Sequence, residues 1–312
     1  MNPANKPIVL NSIYDLYSNL GVAIDRLDEK SEFYICNLAN IRLGTDVPFV
    51  GAVYRANFFS FVFAKNCRGT TFSDYYTFDI KPGSVYFNNP GELKQVVLKD
   101  VKELYMATLT ESFLKRYVHP DIFVEFPFLL AEIVPPRVLN TEQFAEFELF
   151  YQQLIKEFKS DSPYRFKLIG HLCMIMLIKI REYFWNDYDP LTEGSRSSQI
   201  VKSFKRLLES NYRNLRKGAT DKVFRIQEYA EALHLHPNYL NAVIKTKTGK
   251  PVGAWITQKT ITEAKSLLSN SEISIKEIAG RLGFAETPHF SNYFKKQTNT
   301  SPIVYRRNNR AS

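Results

Sequence analysis

Histidine is absent from the first 118 residues of this 312-residue chain, and the whole sequence holds only five. A metal-dependent enzyme on a β-rich N-terminal part would need two or three such ligands on its strands, so metal catalysis is not expected there. His119 and His171 fall singly in segments read as helices, where packing is the plainer role. His234 and His236 lie two apart and would diverge on a helix. Cysteine is almost as scarce. Cys36, Cys67 and Cys173 form no spacing motif, and an odd count suits a reducing cytoplasm better than a disulfide framework. Long apolar runs are missing too. The most apolar one, Leu168 to Ile178, has eleven residues between Lys167 and Lys179. A membrane span needs about 20, so this reads as a buried helix. The first residues lack the basic-then-apolar pattern of a signal peptide. There is no glycine-rich phosphate loop, nucleophile elbow or usable Cys/His constellation, so neither an enzyme nor a cofactor is expected.

What is present is a soluble, globular composition, 45% hydrophobic and 23% charged, in a chain long enough for two cores. The net charge of +9 is unevenly spread. From Arg196 onward there are 21 basic and 8 acidic residues, a net of +13; Met1 to Ser195 carries 20 and 24, a net of −4. That asymmetry suggests a polyanion-binding module joined to something else.

The boundary is expected in Asp189–Gln199, where Pro, Gly and Ser interrupt the apolar periodicity. The reading is a domain over 1–189, a linker over 190–199 and a second domain over 200–312. The first domain reads as strands followed by helices. Ala56–Ala64, Tyr75–Ile80 and Ser84–Phe87 are aromatic-rich strands, with turns at Pro82-Gly83 and Asn88–Gly91. Short strands at this spacing suggest a small sandwich or barrel. Phe58, Phe59, Phe61, Phe63, Tyr75, Tyr76 and Phe78 could line an apolar pocket, but a filled core needs the same residues. Phe144, Phe147, Tyr151, Leu154 and Phe158 then form a heptad seam, and a further helix covers about Tyr164 to Phe184. Such a seam serves either its own domain or a second copy, and a homodimer through one of these helices is expected.

The basic half contains a diverged repeat. Ile226, Tyr229, Ala230 and Leu233 sit at i, i+3, i+4, i+7 and match Ile275, Ile278, Ala279 and Leu282 with an offset of 49. Leu240 and Ile244 match Phe290 and Phe294 with an offset of 50, one residue having entered the turn. Gly249 then matches Asn299, and Trp255 matches Tyr305. Asn tolerates left-handed geometry best after Gly, which gives that pairing a backbone reason. Gly283 ends the first helix of its unit, Thr287 is placed to cap the second, and Pro251 to Ser269 reads as one long helix between the units.

A short helix, a tight turn and a second helix is the helix-turn-helix arrangement. Its second helix reaches base edges in the major groove through exposed N-terminal residues. Opposite Leu240 and Ile244 stand Asn238, Asn241 and Lys245; opposite Phe290 and Phe294 stand Thr287, Ser291, Asn292 and Lys295. Asn can pair with adenine in bidentate fashion, Ser and Thr can bond several bases or phosphates, and Lys meets the backbone. A helical bundle with polar outer faces would explain the stripes. It would not explain the repetition, the basic excess and the amide and hydroxyl faces together.

Ile275 to Arg307, IKEIAGRLGFAETPHFSNYFKKQTNTSPIVYRR, resembles the hallmark segment of AraC/XylS-type transcriptional regulators, and IQEYAEALHLHPNYLNAVIKTKTG fits their upstream motif more loosely. The resemblance covers the last hundred or so residues. Two departures are His289, where Tyr is frequent, and Asn299 in place of Gly. The resemblance implies two helix-turn-helix units reading successive major-groove segments of double-stranded DNA. It carries the base-facing role to Asn238, Asn241 and Ala242, and to Thr287, Pro288, Ser291 and Asn292. Ala242 and Pro288 would act by apolar contact or shape alone. Over Met1 to Asp189 the likeness is one of architecture. It implies a cupin-like barrel with helices at its C-terminal side, a small-molecule effector or dimerisation role for that domain, and contact with RNA polymerase. The competing readings are a cupin-type enzyme tethered to DNA and a nonspecific nucleic-acid binder.

Overall fold

The computed structural model describes residues 7–22, 24–38, 48–73, 76–130, 135–185, 195–270 and 272–310. It divides into two units, Met1–Val118 with Ala131–Tyr188, and His119–Leu130 with Asp189–Ser312. The second unit therefore takes in a short segment that the sequence reading left in the first. Residues 190–194 of the expected linker lie outside the described residues. Ser195 caps a helix that begins at Arg196, so 196–199 are its first turn rather than linker.

The first unit opens with β1 (Ile8–Leu10), α1 (Ile13–Asn19), β2 (Phe33–Asn37), β3 (Phe49–Val50) and β4 (Tyr54–Ala56). Then come β5 (Phe59–Ser73), β6 (Tyr76–Ile80), β7 (Ser84–Asn88) and β8 (Leu93–Leu109). Expected strand 56–64 is thus split: Ala56 ends β4, and β5 runs on to Ser73. Expected strand 75–80 begins at Tyr76, and Tyr75 lies outside the described residues. The long antiparallel pair β5 and β8 is the spine of the sheet, whose strand order is β1-β4-β8-β5-β7-β9, where β9 is Arg137–Val138. One half of β8 carries β3 and β4, and the other carries β2. One half of β5 carries β7, and the other carries β6.

Register shifts between Phe63 and Gly69 let both long strands bend where they change partners. Gly69 sits at that bend, and a Cβ there would lie 2.3 Å from the Val97 carbonyl oxygen, so no other residue fits. Among the described residues no ladder joins the sheet's ends, which are strands of three and two residues. The architecture is a β-rich, bent sheet; the expected closed barrel is not seen.

After α2 (Glu111–Phe113) the chain makes a wide π turn over Leu114–Val118, and it later enters α4 (Thr141–Lys159) and α5 (Arg165–Phe184). Asn140 and Gln143 form a reciprocal cap that starts α4. The heptad seam faces its own sheet, since Phe147, Tyr151, Leu154 and Phe158 are all buried. Phe63 of β5 stacks among Phe144, Tyr151 and Tyr105, with ring centroids 5.3–6.2 Å apart. Phe58, Phe59, Phe61 and Phe63 are core residues, whereas Tyr76 is half exposed. The apolar stripe left uncovered is on α5, where Leu168, Ile175 and Ile178 are exposed.

The second unit contains α3 (Ile122–Glu125), a 3-10 turn over Pro127–Leu130, and α6 (Arg196–Arg216) to the end of the chain. His119 precedes α3 in a turn rather than a helix, and its Nδ1 accepts from the Asp121 N–H at 3.1 Å. His171 is in α5, as expected, but exposed. The remaining helices are α7 (Ile226–Ala232), α8 (Pro237–Thr248), α9 (Val252–Asn270), α10 (Ile275–Arg281), α11 (Thr287–Thr298) and α12 (Pro302–Arg310). Their core runs from Ile200 and Phe204 of α6 through Leu240, Ile244 and Leu268 to Phe290 and Phe294. Asn211 of α6 pins the entry to α7: its Nδ2 donates to the Lys222 carbonyl at 3.0 Å, and its Oδ1 accepts from the Phe224 N–H at 3.1 Å. Among the described residues no helix is long and apolar enough to cross a membrane.

Candidate nucleic-acid interface

The repeat read from sequence is a repeat of structure. Helices α7 and α10 begin and end 49 residues apart, and α8 and α11 begin and end 50 apart. Leu235 donates to the Ala230 carbonyl at 2.8 Å, as Phe284 does to that of Ala279 at 2.9 Å, so both turns close alike. Gly283 holds φ at 76°, and His234, its counterpart, holds 54°. Gly249 and Asn299 are both left-handed C-caps, at 77° and 56°, each donating to a lysine carbonyl four residues back at 2.8 Å. Thr248 and Thr298 repeat the same hydroxyl bond to the fourth carbonyl back, also at 2.8 Å.

His234 is strained where Gly283 is not. A non-glycine residue in the left-handed region costs about 1–2 kcal/mol, while glycine's extra freedom in the unfolded chain costs about 0.5–1 kcal/mol. The exposed His234 side chain has little packing to lose. His234→Gly is therefore expected to raise stability by about 0.5–1 kcal/mol in urea unfolding. A decrease would mean that the imidazole makes a contact worth more than the strain.

The reading helices start differently. In α8, His236 is the N-cap, and its Nδ1 accepts from the Asn238 N–H at 3.3 Å. In α11, Glu286 is the N-cap with no side-chain bond; Thr287, expected to cap, is the first helical residue. The reason is Pro288, which stands where Asn238 stands in the first unit and has no N–H to cap. The same substitution recurs at the next helix. Asn241 Oδ1 accepts from the Val252 N–H at 3.0 Å, tying α8 to the start of α9. Its counterpart is Ser291, and at the start of α12 Pro302 stands in place of Val252 and needs no acceptor. Twice, the second unit removes a donor that the first satisfies with a side chain.

The structure places Asn238, Ala242 and Lys245 exposed on α8, and Pro288, Asn292 and Lys295 exposed on α11. Thr287 and Ser291 are half buried at the same end of α11. Asn241 is half buried, with its carbonyl oxygen already accepting from Val252, so its amide nitrogen is the freer group for an outside partner. Sequence reasoning did not find that contact, because it is set by the approach of α9 and not by spacing along α8. It also passed over Lys296 and Thr246, which are exposed beside Lys295 and Lys245.

Two helix-turn-helix units stand on either side of a 19-residue helix, in a strongly basic part of the chain. Residues 229–308 match the family described as "Helix-turn-helix domain". Regulatory protein PocR of Salmonella typhimurium is 32% identical over 82 residues, covering 26% of this chain and 27% of that protein. The C-terminal domain of the two-component response regulator yesN from Fusobacterium nucleatum is 31% identical, covering 33% of this chain and 93% of that one, with a TM-score of 0.30. ToxT from Vibrio cholerae O395 is 14% identical over 90% of this chain and 98% of that one, with a TM-score of 0.35. These matches make residues 229–308 a helix-turn-helix domain similar to that of regulatory proteins such as PocR. The chain spans only about a quarter of the length of PocR.

Proposed function

We propose that this protein is a sequence-specific transcriptional regulator that lays α8 and α11 in successive major-groove segments of double-stranded DNA. The observation that carries the reading is the duplicated geometry itself: two short helices, each braced by a preceding helix and stopped by a left-handed cap, in a region of net charge +13. Asn238 and Asn292 are the amides best placed to read adenine, with Ser291 and Thr287 as shorter-range partners. Lys245 and Lys295 lie in the last turns and meet phosphates. Ala242 and Pro288 contribute shape, and Asn241 mainly holds α8 in place.

The first unit, Met1–Val118 with Ala131–Tyr188, takes the cupin-like sensing and dimerisation role, and the DNA-binding helices run from about residue 200. A homodimer through α5 accounts for its uncovered Leu168, Ile175 and Ile178. Contact with RNA polymerase follows from the same reading. The direct test is selection of binding sites from random DNA, followed by two variants. Asn292→Ala is expected to relax base preference at one position, costing roughly 1–3 kcal/mol there. Lys295→Ala should weaken all sequences alike and lower the salt slope by about 1. Uniform loss in both would sink the assignment of the reading face.

A further inference from the structure

The first unit encloses a cavity of about 120 Å³ between α1 and the two halves of the bent sheet. Leu16, Leu38, Val62, Leu98, Leu104 and Met106 supply most of its apolar wall. An apolar protein cavity of about 150 Å³ holds benzene, so this slightly smaller one suits a single six-membered ring with at most a small substituent. Its charge is what narrows the chemistry. Among the described lining residues Lys94 is the one ionic group, and it is already committed. Lys94 Nζ lies 2.5 Å from Glu92 Oε2 and 2.9 Å from Ser73 Oγ, with both ionic side chains at most 6% exposed. Nearby Arg55 donates to the Gly91 carbonyl and does not line the cavity. The two phenols on the wall, Tyr54 and Tyr86, are pushed upward by burial, Tyr54 to about 12 with Glu92's charge adding to the shift, so both stay neutral.

We propose that this cavity binds a small uncharged ligand, ring-sized and mostly apolar, and that it rejects carboxylates of the same size. Among the described residues a carboxylate would enter beside Glu92, find the lining cation already neutralised, and have only neutral donors to offset its desolvation. Uncharged groups meet no such barrier, and Thr71, Asn88 and Tyr86 offer polar contacts for one hydroxyl or amide. This ligand class rests on reading the first unit as the sensing part of a regulator.

Benzyl alcohol and benzoate are a suitable pair of probes, alike in size and differing in charge. Titrated into the full-length protein and followed by calorimetry and by the Met106 methyl signal, benzyl alcohol is expected to bind saturably at one site. Benzoate should bind at least tenfold more weakly. In Glu92→Gln, which frees Lys94, benzoate is expected to gain at least tenfold. Val62→Phe, which fills the cavity, should abolish binding of both. Absence of saturable benzyl alcohol binding to the folded wild-type protein would overturn the site, and equal binding of the two probes would overturn its charge selection. Gel-shift assays of the same protein on selected DNA keep the readings apart. Ligand binding without DNA binding sinks the regulator, and DNA binding without ligand binding sinks the cavity.

Discussion

Replacing Lys259 by methionine is expected to cost the second unit about 3–5 kcal/mol, although the new side chain is apolar and of similar length. Lys259, in the middle of α9, is 2% exposed and pairs with Glu209 of α6 and, at 3.7 Å, with Glu263 one turn along. Glu263 is 1% exposed and accepts from Arg216 at 2.8 Å, and Arg216 in turn pairs with Asp121. The Lys259 ammonium also lies 5.3 Å from the Phe123 ring centroid. Removing the lysine takes a shared cation away from the Glu209 and Glu263 carboxylates in a site that water reaches poorly. Lys259→Met combined with Glu209→Gln should recover much of the loss, because the pair is then removed together. Urea unfolding read by Trp255 in a Trp185→Phe background isolates this unit, since these are the two tryptophans of the chain. A cost below about 1 kcal/mol would mean that other groups carry the carboxylates.

That network also marks where sequence ceases to be legible. The stripe at Ile275, Ile278, Ala279 and Leu282 and its copy 49 residues earlier were readable because helix periodicity is a local property. The left-handed caps at Gly249 and Asn299 were readable for the same reason, since few residue types tolerate that geometry. Buried Lys259 was not readable: at its spacing a lysine looks like any solvated one, and its enclosure comes from tertiary neighbours, Glu209 of α6 and Phe123 of α3. The 17-residue strand β8 was hidden by Lys94, Lys99, Asp100, Lys102 and Glu103, which break its apolar alternation. α6 was obscured by its start beside the polar stretch taken as linker. Asn241 shows the limit at the interface. Its residue type fits base reading, yet tertiary contact engages its oxygen.

Cut between the units, the protein should divide its work completely. A fragment Ser195–Ser312 is expected to bind the selected DNA by itself, and Met1–Tyr188 is expected to bind none. The 21 residues of the second unit's core cluster all lie between Ile200 and Phe294, so the fragment keeps its core. It loses Asp121 beside Arg216 and Phe123 beside Lys259, which should lower its stability without touching α8 or α11. Its affinity should fall steeply with salt, because each neutralised phosphate releases about 0.9 counterion. The other fragment carries none of the reading helices, and with 20 basic and 22 acidic residues its net charge of −2 does not attract phosphate. It should instead carry the self-association, with a mass twice its own, while Ser195–Ser312 stays monomeric. In the intact chain that association makes a second half-site contact intramolecular, so a two-part site should be held more tightly than either half predicts. Retention of DNA by Met1–Tyr188 at physiological salt would overturn this division, because among the described residues it holds no paired helix-turn-helix unit.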